Sequence, residues 1–223
     1  MKLSVELHSL ESKDSLTLLK AIYKSLDDFK SVTKVDLDNI QITCTNSHRQ
    51  MEQILGYKRP MWGVSTIKKG KIFLYNPRLW NKKQTGHTPG DVVASITHQL
   101  VHLYFEQEKI KSPVWFEEGY ATYVSDRQNE KFRKNELKKL VKKYGVCDYN
   151  SLKVSFAKLS VPALYYQSSY GFMFYLVKLQ KENSLNKLTD KLKNGENFEN
   201  SFINIYGRSA KDIWEEFNNK LIK

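Results

Sequence analysis

The hydrophobic pattern of the chain changes once, near residue 90, and this change limits the fold more than any other feature. Before it, segments such as Leu3, Val5 and Leu7 alternate apolar and polar residues, which is typical of half-buried strands. After it, apolar residues recur with the period of an α-helix almost to the end of the chain. The sequence therefore predicts the α+β class.

The N-terminal part combines strands with helices. Apolar residues at helical spacing predict a helix over residues 16–29, and alternation predicts a strand over residues 40–44. The segments WGVSTIK and KIFLYN flank the turn signal Lys68-Lys69-Gly70. Two strand-like segments joined by such a turn are typical of a β-hairpin.

The remainder of the chain is predicted to be helical. Pro89 and Asp91 are suitable start residues for a largely buried helix over residues 91–109, and a second helix begins near Trp115. We expect an N-terminal α/β subdomain, residues 1–109, and a helical C-terminal subdomain, residues 110–223. The later helices are predicted over residues 130–144, 165–181, 184–193, 198–206 and 210–221.

Composition excludes several classes of protein. Four Trp, 13 Tyr and 11 Phe in 223 residues are more than disordered chains carry, and two cysteines are too few for a disulfide scaffold. No segment approaches the roughly 18 apolar residues of a membrane span. The opening MKLSVELHSLESKD has no unbroken apolar stretch, so it does not resemble a signal peptide, and the expected location is cytoplasmic.

The charge of the chain is strongly positive. Thirty-six Lys and Arg against 24 Asp and Glu give a net charge of +12, which is common among nucleic-acid-binding proteins and also among Lys-rich enzymes. The densest cluster, over residues 131–143, places its charges opposite the apolar face of a predicted helix. A solvated helix face therefore explains this cluster better than a nucleic-acid interface.

Two histidines share one face of the helix over residues 91–109. His98 and His102 are four residues apart, so their Cβ atoms lie about 5–6 Å from each other and both imidazoles can reach one metal ion. With five histidines in the chain such a pair also arises by chance, and two packed histidines are the alternative.

A third candidate ligand follows in the run W-F-E-E-G-Y-A. Glu118 lies 16 residues after His102, early in the next predicted helix, which a turn would bring back to the histidine pair. Two His and one Glu form a known catalytic zinc set, which leaves a coordination position open for water. The alternative is a carboxylate near a helix N-terminus, a role that Glu117 could equally fill.

These residues carry a resemblance to a known family. His98-x-x-x-His102 followed by W-x-x-E-G-x-A is similar to the gluzincin branch of zinc metallopeptidases, in particular the peptidase MA-like family, related to thermolysin. Downstream, ALYYQSSYGFMFYLVKL resembles the family's A-Y-x-Q-S helix, with Leu164 in place of the Ala, and IYGRSAKDIWEEF resembles its closing helix. Upstream, GYKRPMWGVSTIKKGKIFLYNP resembles its edge-strand segment, so that the resemblance covers residues 40–220.

The resemblance implies a thermolysin-like zincin fold, with an N-terminal mixed sheet, an active-site helix and a mainly helical C-terminal subdomain. It implies that His98, His102 and Glu118 bind Zn²⁺ and that the chain is a zinc metallopeptidase. A substrate peptide would lie along an edge strand at residues 71–76, in the cleft between the subdomains. We expect a selective endopeptidase, because an unrestrained protease in the cytoplasm would be hazardous.

One residue departs from the family pattern. The family motif is H-E-x-x-H, whose Glu is the general base, and this chain has Gln99 there. An amide can hydrogen-bond the attacking water but cannot take up its proton, and losing a general base costs about 10²- to 10⁴-fold in rate. Either Gln99 is an engineered replacement that traps substrate, or it is natural and the protein is a pseudopeptidase.

Supporting roles are assigned to residues of the C-terminal subdomain. Related gluzincins use a Tyr to stabilise the oxyanion, and Tyr165 occupies the Tyr position of the A-Y-x-Q-S segment, with Tyr166 and Tyr170 as alternatives. Thr122 and Asp126 are candidate hydrogen-bond partners of a ligating imidazole. The other three histidines, at positions 8, 48 and 87, are expected to be structural or surface residues.

Three functions follow from the sequence. The first is a zinc metallopeptidase, inactive or trapped as the Gln99 form. The second is a pseudopeptidase that binds peptides without cleaving them, and the third is a basic nucleic-acid-binding protein. The partner expected for the first two is a peptide or protein, and a charge of +12 would attract acidic ones.

Overall fold

The structure is a computed structural model that describes residues 2–7, 12–153, 160–181 and 183–222. Its strands are β1 (Leu3–Leu7), β2 (Ile40–Thr45), β3 (Ser65–Lys68) and β4 (Lys71–Tyr75). Its helices are α1 (Ser12–Thr33), α2 (His48–Leu55), α3 (Lys82–Thr85), α4 (Val92–Gln107), α5 (Val114–Asp126), α6 (Glu130–Tyr144), α7 (Pro162–Gln180), α8 (Asn183–Lys193), α9 (Phe198–Tyr206) and α10 (Ala210–Ile222).

The chain divides into two compact units, Met1–Gln107 and Glu108–Lys223. The division falls two residues before the boundary predicted after residue 109. All four strands described above belong to the first unit, and the second consists of helices and 3₁₀ turns in its described part. The α+β class is therefore confirmed.

The sheet of the first unit is mixed. Its described strands have the order β1-β2-β4-β3, with β1 parallel to β2, β2 parallel to β4, and β3 antiparallel to β4. A parallel pair needs a crossover connection, and helix α1 provides it between β1 and β2. The mixed sheet predicted for the N-terminal subdomain is thus present.

The predicted hairpin is present, but the predicted edge strand is wrong. Strand β4 lies between β2 and β3, so residues 71–76 do not form an edge, and the edge beside them is β3. The reason is the turn at Lys69 and Gly70, whose φ angles of 50° and 69° fold β3 back along the outer side of β4. Three consecutive buried residues of β4, Ile72 to Leu74, match its interior position.

Helices cover both faces of this sheet. Phe73 packs with Met51 and Leu55 of helix α2 in one buried cluster. Ile72 and Leu74 point to the opposite face, because side chains alternate along a strand, and α4 contacts β4 and β3. Helix α1 also packs along α4. Helix α4 is therefore held between the sheet and α1, which explains why most of its side chains are buried.

The second unit has an aromatic core. The ring of Trp115 lies 5.4 Å from that of Phe172 and 6.1 Å from that of Trp214, measured between centroids. The indole of Trp214 donates to the Cys147 carbonyl at 2.8 Å. Helices α5 and α7 pack against each other along this core. The bounds of the helices from α4 to α10 agree with the predicted ones within three residues.

Both cysteines, Cys44 and Cys147, are free and buried. Within the described part of the chain, no helix is both long and apolar enough to cross a membrane.

Candidate metal centre

Helix α4 presents its two histidines as a pair. The Nε2 atoms of His98 and His102 lie 3.0 Å apart, and their ring centroids are separated by 4.8 Å. Both side chains are half-buried, whereas the opposite side of the helix is packed into the first unit. The burial pattern of α4 thus leaves the imidazoles on its less buried side.

The histidine pair has the spacing of a metal chelate. Two nitrogens bound to one tetrahedral zinc ion at about 2.0–2.1 Å are about 3.3 Å apart. The observed 3.0 Å between the Nε2 atoms of His98 and His102 differs from this by a few tenths of an ångström. The donor set and spacing of the two residues therefore fit a zinc ion without a change of backbone.

Glu118 lies in the second turn of helix α5. Its neighbours Trp115 and Phe116 are buried, and Glu118 itself is half-buried. A Cβ at Gly119 would lie 2.7 Å from the Ser169 carbonyl oxygen, so the backbones of α5 and α7 touch there. The buried residues Trp115, Phe116 and Gly119 orient the helix so that Glu118 lies on its less buried side.

The three predicted ligands are brought together. One ligand atom each from His98, His102 and Glu118 lies within 4.8 Å of the other two, and no other such group of three exists among the described residues. Two other histidines have different contacts. The Nε2 atom of His48 lies 3.2 Å from the Pro60 carbonyl, and the ring of His87 packs against Trp80. His8 lies outside the described residues.

Gln99 is held in place by a neighbour that the sequence did not indicate. Its side chain is 8% exposed, and its Nε2 atom donates to the Ser65 Oγ at 3.2 Å. Ser65 is the first residue of the edge strand β3. No motif or spacing points to Ser65, because its position depends on the packing of β3 against α4.

The structure separates the three candidate tyrosines. The hydroxyl of Tyr170 donates to the Asp126 carbonyl at 2.9 Å, so its proton is engaged away from the ligand cluster. Tyr165 is buried, and burial together with the nearby Glu118 carboxylate raises its pKa, which keeps its hydroxyl protonated. Tyr166 is only half-buried. Tyr165 is thus influenced by the candidate ligand Glu118, and its role as the oxyanion donor stays a prediction.

The two proposed hydrogen-bond partners of a ligating imidazole make other contacts. The Thr122 hydroxyl donates to the Glu118 backbone carbonyl at 2.9 Å, within the same helix. The buried Asp126 accepts from Arg133 Nε at 2.5 Å and from Asn129 Nδ2 at 2.6 Å. Both side chains therefore stabilise the second unit through these contacts.

Comparison with known proteins identifies the family of the chain. A family model described as the peptidase MA superfamily matches residues 82–223. The match includes α4, α5 and all later helices, whereas residues 40–81, for which the sequence predicted the same resemblance, lie outside it. No curated protein matched the chain. Because the family model matches more than half of the chain, this protein belongs to the peptidase MA superfamily.

Proposed function

We propose that this chain has the active site of a gluzincin-type zinc metallopeptidase, which hydrolyses peptide bonds. The observation that carries the proposal is the cluster of His98, His102 and Glu118, whose ligand atoms lie within 4.8 Å of one another. Two His and one Glu are the ligand set of this class of catalytic zinc site. Membership of the peptidase MA superfamily supports the same chemistry.

Each neighbouring residue has a role in this proposal. When bound, a zinc ion supplies Lewis-acid chemistry, since it polarises a carbonyl and makes water more acidic. Gln99 would orient the attacking water by a hydrogen bond, without accepting its proton. Tyr165, with its protonated hydroxyl, would donate to the developing oxyanion. A peptide would pair with β3, the edge strand beside Gln99.

Gln99 favours a second candidate function, a pseudopeptidase that binds peptides. Its amide is buried and hydrogen-bonded to Ser65, so it fits its surroundings as it stands. An amide cannot act as a general base, so the chain with Gln99 is expected to hydrolyse peptides about 10²- to 10⁴-fold more slowly than a carboxylate form.

Metal binding is tested first, by a readout other than activity. Titration of the chelator-treated protein with Zn²⁺ should show one ion per chain, and thermal unfolding should shift upwards. At 100 times the dissociation constant, the ion stabilises the folded state by about 2.7 kcal/mol. The double variant His98→Ala/His102→Ala should lose both effects. A wild-type chain that takes up no zinc would contradict both candidate functions.

Hydrolysis is tested by restoring the carboxylate. The variant Gln99→Glu, loaded with zinc, should cleave members of a broad peptide library, with the products identified by mass spectrometry. The double variant Gln99→Glu/Glu118→Gln is the control for contaminating proteases. If Gln99→Glu binds zinc but cleaves no peptide, the metallopeptidase proposal is wrong and the peptide-binding function remains.

A further inference from the structure

An arginine contacts the edge strand beside Gln99. The Nη2 atom of Arg59 donates to the Ser65 backbone carbonyl at 3.0 Å, while the hydroxyl of the same serine accepts from Gln99. The guanidinium and the Gln99 amide therefore meet at one residue of β3. A planar guanidinium has five N–H donors, and one of them is used in this contact.

The side chain and the main chain of Arg59 both make close contacts. A Cβ at Gly63 would lie 2.8 Å from Arg59 Nη2 and 2.9 Å from its Nε, so the guanidinium packs closely against this glycine and would have to shift if a side chain were added. The backbone N–H of Arg59 donates to Glu52 Oε1 at 2.7 Å, which fixes the main chain at the base of the side chain. The position of Arg59 is thus determined from both ends, unlike that of a mobile surface cation.

The positive charge of Arg59 is not neutralised within the described part of the chain. No carboxylate there lies within ion-pair distance of its guanidinium, and its buried Nε has no hydrogen-bond acceptor. The Glu52 carboxylate accepts from the Arg59 main chain instead. A partly buried guanidinium without a carboxylate favours an anionic ligand, because charge-assisted forked hydrogen bonds are the strongest that Arg forms.

The register of the hairpin places Arg59 on the outer edge of the sheet. Lys68 pairs with Lys71 across the turn, and Tyr75 donates to the Val64 carbonyl, so residues 64, 66 and 68 bond to β4. The backbone groups of Ser65 and Ile67 consequently point away from β4, towards the position of an added strand. Arg59 donates a hydrogen bond to the outward-facing carbonyl of Ser65. Its guanidinium therefore lies where a peptide that paired with β3 would pass.

From these contacts we propose that Arg59 is a carboxylate-binding site that selects acidic peptides for the edge strand β3. The inference rests on the proposed peptide-binding function and names its substrate class. The carboxylate is either an Asp or Glu side chain or the C-terminus of the peptide, since both offer two oxygens to the guanidinium.

The test measures peptide affinity with the zinc-loaded chain, whose Gln99 prevents rapid cleavage. The probes are acetylated, C-amidated heptapeptides of Ala, Leu and Tyr, each with one Glu or one Gln at a single position. A second set carries Gln and a free C-terminal carboxylate. For one of the positions, the peptide with Glu should bind about 10- to 100-fold more tightly than the peptide with Gln, as expected for a hydrogen bond to a charged group. Tighter binding only with the free C-terminus would assign the site to a terminal carboxylate.

Matched variants separate the specific role of Arg59 from the effect of the overall positive charge of the chain. Arg59→Gln should abolish the preference, and Arg59→Lys should keep only part of it, because an ammonium lacks the fork. Gly63→Ala retains the charge but displaces the guanidinium, so it should weaken the preference as well. Lys58→Gln, at an exposed neighbour, should leave it intact. Circular dichroism and thermal unfolding show which variants are folded.

Two results would overturn the inference, and they differ in what else they affect. Equal affinity for the Glu peptides, the Gln peptides and the peptides with a free C-terminus, or a preference that survives in folded Arg59→Gln and Gly63→Ala, would refute the role of Arg59 and leave peptide binding in place. Absence of binding by every peptide would refute the inference and the proposed peptide-binding function together.

Discussion

The amide of Gln99 donates to the Ser65 hydroxyl at 3.2 Å, which couples the position after His98 to the first residue of the edge strand. The contact joins a buried helix to the strand beside which we place the peptide. It also restrains the side chain at position 99, because the amide nitrogen is bonded to the first residue of β3.

Ser65 is therefore expected to be a positioning residue. In the Gln99→Glu background, Ser65→Ala should lower kcat about 3- to 10-fold, the value of one ordinary hydrogen bond, and leave KM nearly unchanged because the strand backbone is intact. Thr66→Ala is the control, since its side chain points to the opposite face of β3. The measurement is steady-state kinetics on one cleaved peptide. A change confined to KM would show that Ser65 contacts substrate instead.

Glu118 and its neighbour Glu117 should differ sharply in zinc affinity. Glu118→Gln removes a proposed ligand, and we expect the affinity to fall by at least about 100-fold, beyond the usual effect of residues that only orient ligands. Glu117→Gln should retain nearly the wild-type affinity, measured by competition with a chelating dye. A larger loss of zinc affinity in Glu117→Gln than in Glu118→Gln would assign the third ligand to Glu117.

Tyr165 should matter more than Tyr166 for turnover. In the Gln99→Glu background, Tyr165→Phe is expected to lower kcat about 10²- to 10³-fold, as for the loss of one oxyanion donor. Tyr166→Phe is the matched control and should have little effect. Unchanged kcat in folded Tyr165→Phe would exclude this hydroxyl from the reaction.

Gly119 should be required by packing. Alanine there would place its Cβ 2.7 Å from the Ser169 carbonyl oxygen, so α5 and α7 must move apart. We expect Gly119→Ala to lower the free energy of unfolding by roughly 1–3 kcal/mol, measured by denaturant titration. At Gly90 the added Cβ would lie 3.6 Å from Thr88 Oγ1, an ordinary contact, so Gly90→Ala should change stability by less than about 1 kcal/mol. Equal effects would contradict the close approach of the two helices.

The buried thiols should be inert in the folded protein. Burial raises the pKa of Cys44 from 9.0 to about 12, and burial with the Asp148 charge raises that of Cys147 from 9.0 to about 11. At pH 8 both thiols should react with a thiol reagent only after denaturation, because the thiolate is the reactive form. Rapid labelling of the native protein would contradict their burial.

The same pKa shifts predict a loss of stability at high pH. Above pH 9 the unfolded chain releases its thiol protons, whereas folded Cys44 keeps its proton until about pH 12. The unfolded state then binds fewer protons, so the free energy of unfolding falls as the pH rises through this range. In Cys44→Ala this slope should be smaller, which chemical denaturation between pH 8 and pH 11 can measure.

Much of the candidate site follows from local sequence. The pairing of His98 with His102 depends only on the helical repeat, which places residues four apart on one face. The bounds of the later helices were equally predictable, because Gly, Asn and Pro interrupt the helical period between them. These features involve residues close in sequence, for which periodicity is a direct physical signal.

The remaining features depend on packing between distant residues. Strand β3 is the edge because β4 pairs with β2 on its other side. This pairing joins segments that are distant in sequence, so the hairpin alone does not predict it. Ser65 meets Gln99 across 34 residues of chain, and the Tyr170 hydroxyl donates to the carbonyl of Asp126, 44 residues away. No periodic pattern encodes such contacts, because they form only when whole elements pack against each other. The sequence was therefore sufficient to nominate the candidate ligands and the departure at Gln99. Only the folded structure shows that Ser65 contacts Gln99 and that Arg59 contacts Ser65, because both contacts depend on how β3 packs.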